Sequence, residues 1–149
     1  MRKTALIFAL LSFCAVQAQI LAPVKWKTSV KKISETEYEL VATAAISGDW
    51  HLYSQSVPEN GPSATSFTFK GNPNYLKKGN TREDQGHTID DKVFKMKIKY
   101  FEKKADFRQT IKVKNKKKGF KINAVVEFMV CNDSQCLPPS EEDLVFEIK

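Results

Sequence analysis

Phe120-Lys121-Ile122-Asn123-Ala124-Val125-Val126-Glu127-Phe128-Met129-Val130 is the stretch on which the fold turns. Phe120, Ile122, Ala124, Val126, Phe128 and Val130 fall on one face, with Lys121, Asn123 and Glu127 on the other. A period of two is the signature of a strand with one face on a core and one in water. Val24, Trp26, Thr28 and Val30 repeat the pattern against Lys25, Lys27, Ser29 and Lys31. Phe94, Met96, Ile98 and Tyr100 repeat it against Lys95, Lys97 and Lys99. Residues 38–46, 65–69, 107–113 and 144–148 are further strand candidates, although the alanines of 38–46 suit a helix as well. No segment carries a helical stripe longer than two turns.

Turn formers separate these runs: Gly48-Asp49, Pro58-Glu59-Asn60-Gly61-Pro62, Gly71-Asn72-Pro73-Asn74 and residues 115–119. Seven or eight antiparallel strands in one domain predict an all-β protein, a β-sandwich. Residues 77–92 show no periodicity and read as a long loop.

The chain has 149 residues, enough for one domain with a real core. It is 42% hydrophobic, too apolar for a disordered chain. Three cysteines are too few for a disulfide-dense scaffold or a four-thiolate zinc site, and two histidines exclude a histidine-rich metal site.

Residues 1–18 read as a secretory signal peptide. Arg2 and Lys3 supply the positive end, residues 5–16 the apolar stretch, and Val16-Gln17-Ala18 the small residues before cleavage. Twelve apolar residues fall short of the roughly 20 that a spanning helix needs, so no stable membrane anchor is expected after cleavage. Removal takes away Cys14 and lowers the net charge from +7 to +5. The mature domain, residues 19–149, then keeps one pair, Cys131 and Cys136, in an oxidising compartment: the periplasm, or export beyond it.

Cys131-Asn132-Asp133-Ser134-Gln135-Cys136 follows the long strand, and Leu137-Pro138-Pro139 comes next. Four polar turn formers would let the cysteines face each other across a hairpin end, close enough for a disulfide. The prolines would end the ladder and leave the loop at a sheet edge. Closing so short a loop restricts the unfolded chain by only about 2 kcal/mol, against about 4.7 for a hundred-residue loop. A short polar edge disulfide is also easily reached by another thiolate. From the residues alone, redox exchange and a structural staple both stay open.

The run Val126-Glu127-Phe128-Met129-Val130-Cys131, followed by Cys136-Leu137-Pro138-Pro139, resembles the cysteine region of the N-terminal periplasmic domain of the thiol:disulfide interchange protein DsbD. Gly48-Asp49-Trp50-His51-Leu52-Tyr53-Ser54 is similar to that family's Asp-Gly-aromatic-aromatic-Leu-Tyr segment. The resemblance spans about residues 24–149. It implies an immunoglobulin-like β-sandwich that passes electrons from a membrane electron transporter to thioredoxin-like periplasmic proteins. It implies that Cys136 forms the intermolecular mixed disulfide and Cys131 resolves it, with no metal or organic cofactor. The alternative is an immunoglobulin-like binding or adaptor module whose disulfide is only structural. Four residues separate the cysteines, where the family's best-known form has five. The stretch matched to the family's aromatic cap loop, residues 82–87, contains acids but no aromatic. The sequence ends at Lys149, which makes the expected electron donor a separate polypeptide.

Other groups have modest expectations. Lys112, Lys114, Lys116, Lys117, Lys118 and Lys121 crowd one hairpin and read as a solvated, edge-protecting turn, with a docking patch for acidic partners or anionic lipid as the sharper reading. Nucleic acid is not an expected partner. His51 and His87 lack metal-ligand spacing. Both read as surface or core residues; the sharper reading falls on His87, in the stretch matched to the cap loop, where a charged imidazole would lower a thiol pKa and Glu83 and Asp84 would oppose it. Trp50 and Tyr53 read as core or groove-lining aromatics.

Overall fold

The computed structural model describes residues 21–114 and 119–149. The signal segment and Lys116, Lys117 and Lys118 lie outside them. Eleven strands follow in order: β1 (Val24–Lys32), β2 (Glu37–Ile46), β3 (His51–Tyr53), β4 (Ser66–Phe69), β5 (Tyr75–Glu83), β6 (His87–Asp91), β7 (Met96–Glu102), β8 (Lys104–Val113), β9 (Phe120–Phe128), β10 (Val130–Cys131) and β11 (Ser140–Ile148). All pair antiparallel, in three sheets ordered β1-β2-β8-β5, β10-β3-β7-β6 and β11-β9-β4.

The alternation read from the sequence sets the layers. Trp26, Leu40, Ala42 and Phe107 point inward from the first sheet. Ile122, Ala124, Val126 and Phe146 meet them from the third, and Leu52, Phe101 and Val130 from the second. The result is a sandwich whose second layer is made by two sheets joined through the continuous run from β9 into β10. Trp26 sits at the centre, with ring centroids 5.5–5.8 Å from Phe67, Phe107 and Phe128. Thr28 Oγ1 donates to Val145 O at 2.7 Å, tying β1 of one layer to β11 of the other.

Residues 38–46 form a strand, β2, because Leu40, Ala42, Ala44 and Ile46 alternate into the core. Residues 77–92 are not a long loop: they hold most of β5 and all of β6. Both are outer strands of their sheets, and β5 is interrupted by a register shift between Lys78 and Arg82. The residue filling that bulge is polar. Gln109, with its side chain buried, donates through Nε2 to the carbonyls of Lys78, Gly79 and Thr110 and accepts from Thr81 Oγ1 at 3.0 Å. Gly79 takes φ +68°, a left-handed conformation that glycine adopts without strain. β5 carries mostly exposed polar side chains and a bulge, so no apolar alternation marks it.

Candidate functional site

The second sheet is apolar on both faces. Its outer face carries a smaller cluster: Tyr53, Ile98, Tyr100 and Cys131, with Val57, Phe94, Met96, Met129 and Cys136 packed on it. This follows from strand alternation. Leu52 and Val130 turn into the main core, so their neighbours Tyr53 and Cys131 must turn outward.

Cys131 and Cys136 form a disulfide with Cα atoms 4.0 Å apart. They face each other across a hairpin, as the spacing suggests. Asn132 N–H donates to Gln135 O at 2.9 Å, and Leu137 N–H donates to Val130 O at 3.0 Å. Asn132 Oδ1 accepts from the N–H groups of Ser134 and Gln135, each at 2.9 Å, which fixes the turn. β10 is the outer strand of its sheet, so the hairpin stands at an edge. The two cysteines differ in setting: Cys131 is fully buried, whereas Cys136 is partly exposed.

Three aromatics share the disulfide's cluster: Tyr53 on β3, Tyr100 on β7 and Phe94 in the turn between β6 and β7. Asp91 shapes that turn. Its Oδ1 accepts from the N–H groups of Val93 and Phe94 at 2.8 and 3.0 Å, and its Oδ2 accepts from the Tyr53 hydroxyl at 3.1 Å. Burial, with the Asp91 carboxylate beside it, raises the Tyr53 phenol well above its ordinary range. Tyr53 meets the Phe94 ring edge-on with centroids 6.0 Å apart. The cue for this arrangement is Asp91 two and three residues before Val93 and Phe94, an Asx-turn spacing that sequence reading passed over.

Glu83 and Asp84 are engaged elsewhere. Burial opposes ionisation of Glu83, but hydrogen bonds from the Ser54 hydroxyl, Gln55 N–H and Lys99 outweigh it and hold its carboxyl below the usual range. Asp84 is likewise penalised by burial and more than compensated by Arg108, 2.6 Å away, and by Asp106 N–H. These carboxylates pin the end of β5 and the β5–β6 connection to the segment after β3, to β7 and to β8. Gly86 follows, where an added Cβ would lie 2.4 Å from Tyr100 O, so the connection is held tightly against β7.

Trp50 joins the main core and Tyr53 the disulfide cluster. His87 is exposed, with its ring 6.2 Å from that of Tyr100. His51 is the buried histidine, directly opposite Cys131 across β3 and β10. Among the described residues no group of three histidine, cysteine or acidic side chains is placed to hold a metal ion.

A two-layer antiparallel sandwich with a disulfide hairpin on an outer strand, one cysteine buried and one partly exposed, defines an immunoglobulin-like domain suited to thiol–disulfide exchange. Residues 17–147 match the family model "Thiol:disulfide interchange protein DsbD, N-terminal", and the chain belongs to that family. It is thus an exported domain of the periplasmic type. The fold is similar to the DsbD N-terminal domain of Neisseria meningitidis in its reduced form, at 12% identity and TM-score 0.56, covering 86% of this chain and 90% of that one. It is also similar to the N-terminal periplasmic domain of ScsB from Proteus mirabilis, at 15% identity and TM-score 0.57, covering 82% of this chain and 44% of that one. No curated protein sequence matches the chain.

Proposed function

We propose that the domain relays electrons by thiol–disulfide exchange at Cys131–Cys136, from a membrane electron transporter to thioredoxin-like periplasmic proteins. Cys136 is the sulfur that enters the mixed disulfide, and Cys131 is the one that resolves it. The observation carrying this reading is the asymmetry of burial: Cys131 is 0% exposed, whereas Cys136 is partly open. An incoming thiolate needs access to the sulfur that it attacks. Phe94 supports the reading further, because a partly exposed aromatic in the same cluster as the pair is placed to restrict which thiols reach it.

In the forward sense a donor dithiol reduces the disulfide and becomes oxidised. Cys136 thiolate then attacks a partner disulfide, and Cys131 displaces the partner's sulfur as a thiol. Two electrons and two protons pass, and the domain returns to its disulfide form. The test is capture. Reduced Cys131→Ala protein should trap thioredoxin-like proteins from a periplasmic extract through Cys136, and the Cys136→Ala protein should trap none. An empty Cys131→Ala lane, or a potential below about −300 mV, which belongs to structural disulfides, would leave the staple as the remaining role.

A further inference from the structure

The second sheet sets Cys131, His51 and Glu102 in one cross-strand row. Cys131 on β10 is directly opposite His51 on β3, and His51 is directly opposite Glu102 on β7. Directly opposed residues share a sheet face, with Cβ atoms about 5 Å apart. The imidazole is buried and fixed by rings on its own face. Its centroid lies 4.6 Å from Tyr100 and 5.6 Å from Tyr53. It also lines a small cleft with Asp91, Val93, Asn132 and Asp133, which opens beside the cysteine hairpin.

We propose that His51 is the proton acceptor for the Cys131 thiol when Cys131 resolves a mixed disulfide at Cys136. This inference rests on the exchange reading given above. Cys131 is fully buried, and a free thiolate there would be costly without a partner. Removing its proton as the new bond forms avoids that cost. The cross-strand position sets the ring and the thiol side by side on one sheet face, where a proton would pass directly or through one water.

The charged surroundings suit an acceptor. Burial lowers the imidazole pKa, so His51 is neutral and ready to accept a proton at neutral pH. Asp91 on β6, Glu102 on β7, Asp133 in the cysteine hairpin and Asp49 before β3 all favour the imidazolium once it forms. Tyr53 and Tyr100 flank the ring with phenols whose own pKa values are raised. Lys92 and Asp90 line the same cleft, and exposed His87 lies 6.2 Å from the Tyr100 ring.

The step balances. Cys131–SH attacks the Cys136 sulfur, the Cys131–Cys136 bond forms, and the bond from Cys136 to the partner sulfur breaks. Cys131 is oxidised and the departing sulfur is reduced. The thiol proton goes to His51 and then to the departing thiolate.

Glutathione disulfide is a suitable probe because it needs no natural partner. Reduced protein is mixed with it, quenched in acid and separated by mass, which resolves formation of the Cys136–glutathione adduct from its conversion to the Cys131–Cys136 disulfide. Both rates are followed from pH 5.5 to 9. In the His51→Gln protein the adduct should form at the normal rate. Its resolution should shift upward by a pH unit or more, making it roughly tenfold slower at pH 6.5, as expected when a bare thiol near pKa 8.5 must ionise unaided. The His51→Phe protein keeps an aromatic ring in the stack without a basic nitrogen and should shift the same way. A general packing defect would instead slow the rate at every pH. Superimposable pH profiles for wild type and both variants overturn the role of His51 while leaving the exchange reading intact. Failure of wild type to form any adduct overturns both.

Discussion

The Tyr53 hydroxyl donates to Asp91 Oδ2 at 3.1 Å, and through this bond the floor of the disulfide cluster is tied to the turn that carries Phe94. Asp91 is 5% exposed, and its other oxygen holds two backbone N–H groups of that turn. Asp91→Ala therefore strands a buried phenol and two N–H groups. Loss of such partners costs about 1–3 kcal/mol. Urea unfolding should show that loss for Asp91→Ala and a smaller one for Asp91→Asn, which keeps an oxygen acceptor. An unchanged midpoint in Asp91→Ala would mean that the turn holds without it.

Phe94 is only partly buried, so its removal should act on access more than on stability. Reduction of Phe94→Ala by dithiothreitol is expected to run roughly three- to tenfold faster than wild type, since exchange rates follow access to the attacked sulfur. The same rate in both proteins would rule out Phe94 as a shield.

The Glu83 clamp sets an acid limit. Its folded carboxyl lies below the usual range, so its contribution is fully present above the unfolded carboxylate pKa and is lost as pH falls through the folded value. Stability measured by denaturant should therefore decline below about pH 4.5. Glu83→Gln should be less stable at pH 7, by about 1–3 kcal/mol, and flatter against pH in that window. Parallel pH curves for the two proteins would refute the clamp. Asp84, more exposed and paired with Arg108, should contribute less.

Gln109 is the plug of the β5 bulge. Gln109→Leu keeps the volume but leaves the carbonyls of Lys78 and Gly79 without this donor. Amide exchange should quicken along β5 while β9 and β11 keep their protection, with a global loss of about 1–3 kcal/mol. Uniform exchange across the sheets would show that β5 is not held locally by this residue.

The two central layers were legible because burial on one face writes itself into the chain every second residue. Val24, Trp26 and the run from Phe120 to Val130 could be placed from that signal alone. β3, β5 and β6 could not. β3 is three residues long and buried throughout, β5 contains a bulge around a polar plug, and β6 has four exposed residues out of five. None of these produces a clean period of two.

The site divides in the same way. Sequence alone determined the disulfide hairpin, since four turn-forming residues between two cysteines bring the ends together whatever the rest of the chain does. Sequence also determined the family, through Cys136-Leu137-Pro138-Pro139 and the aromatic segment before Ser54. Only the tertiary structure decided what surrounds the sulfurs. Strand register, which depends on every packed pair in the sheet, put His51 rather than His87 beside Cys131. Long-range packing also brought Phe94, from a turn, into the cluster that holds the pair, and engaged Glu83 and Asp84 in a clamp. Local spacing can bring two cysteines together; which side chains come to face them is set by long-range pairing, where a shift of one residue would turn each of them to the opposite side of the sheet.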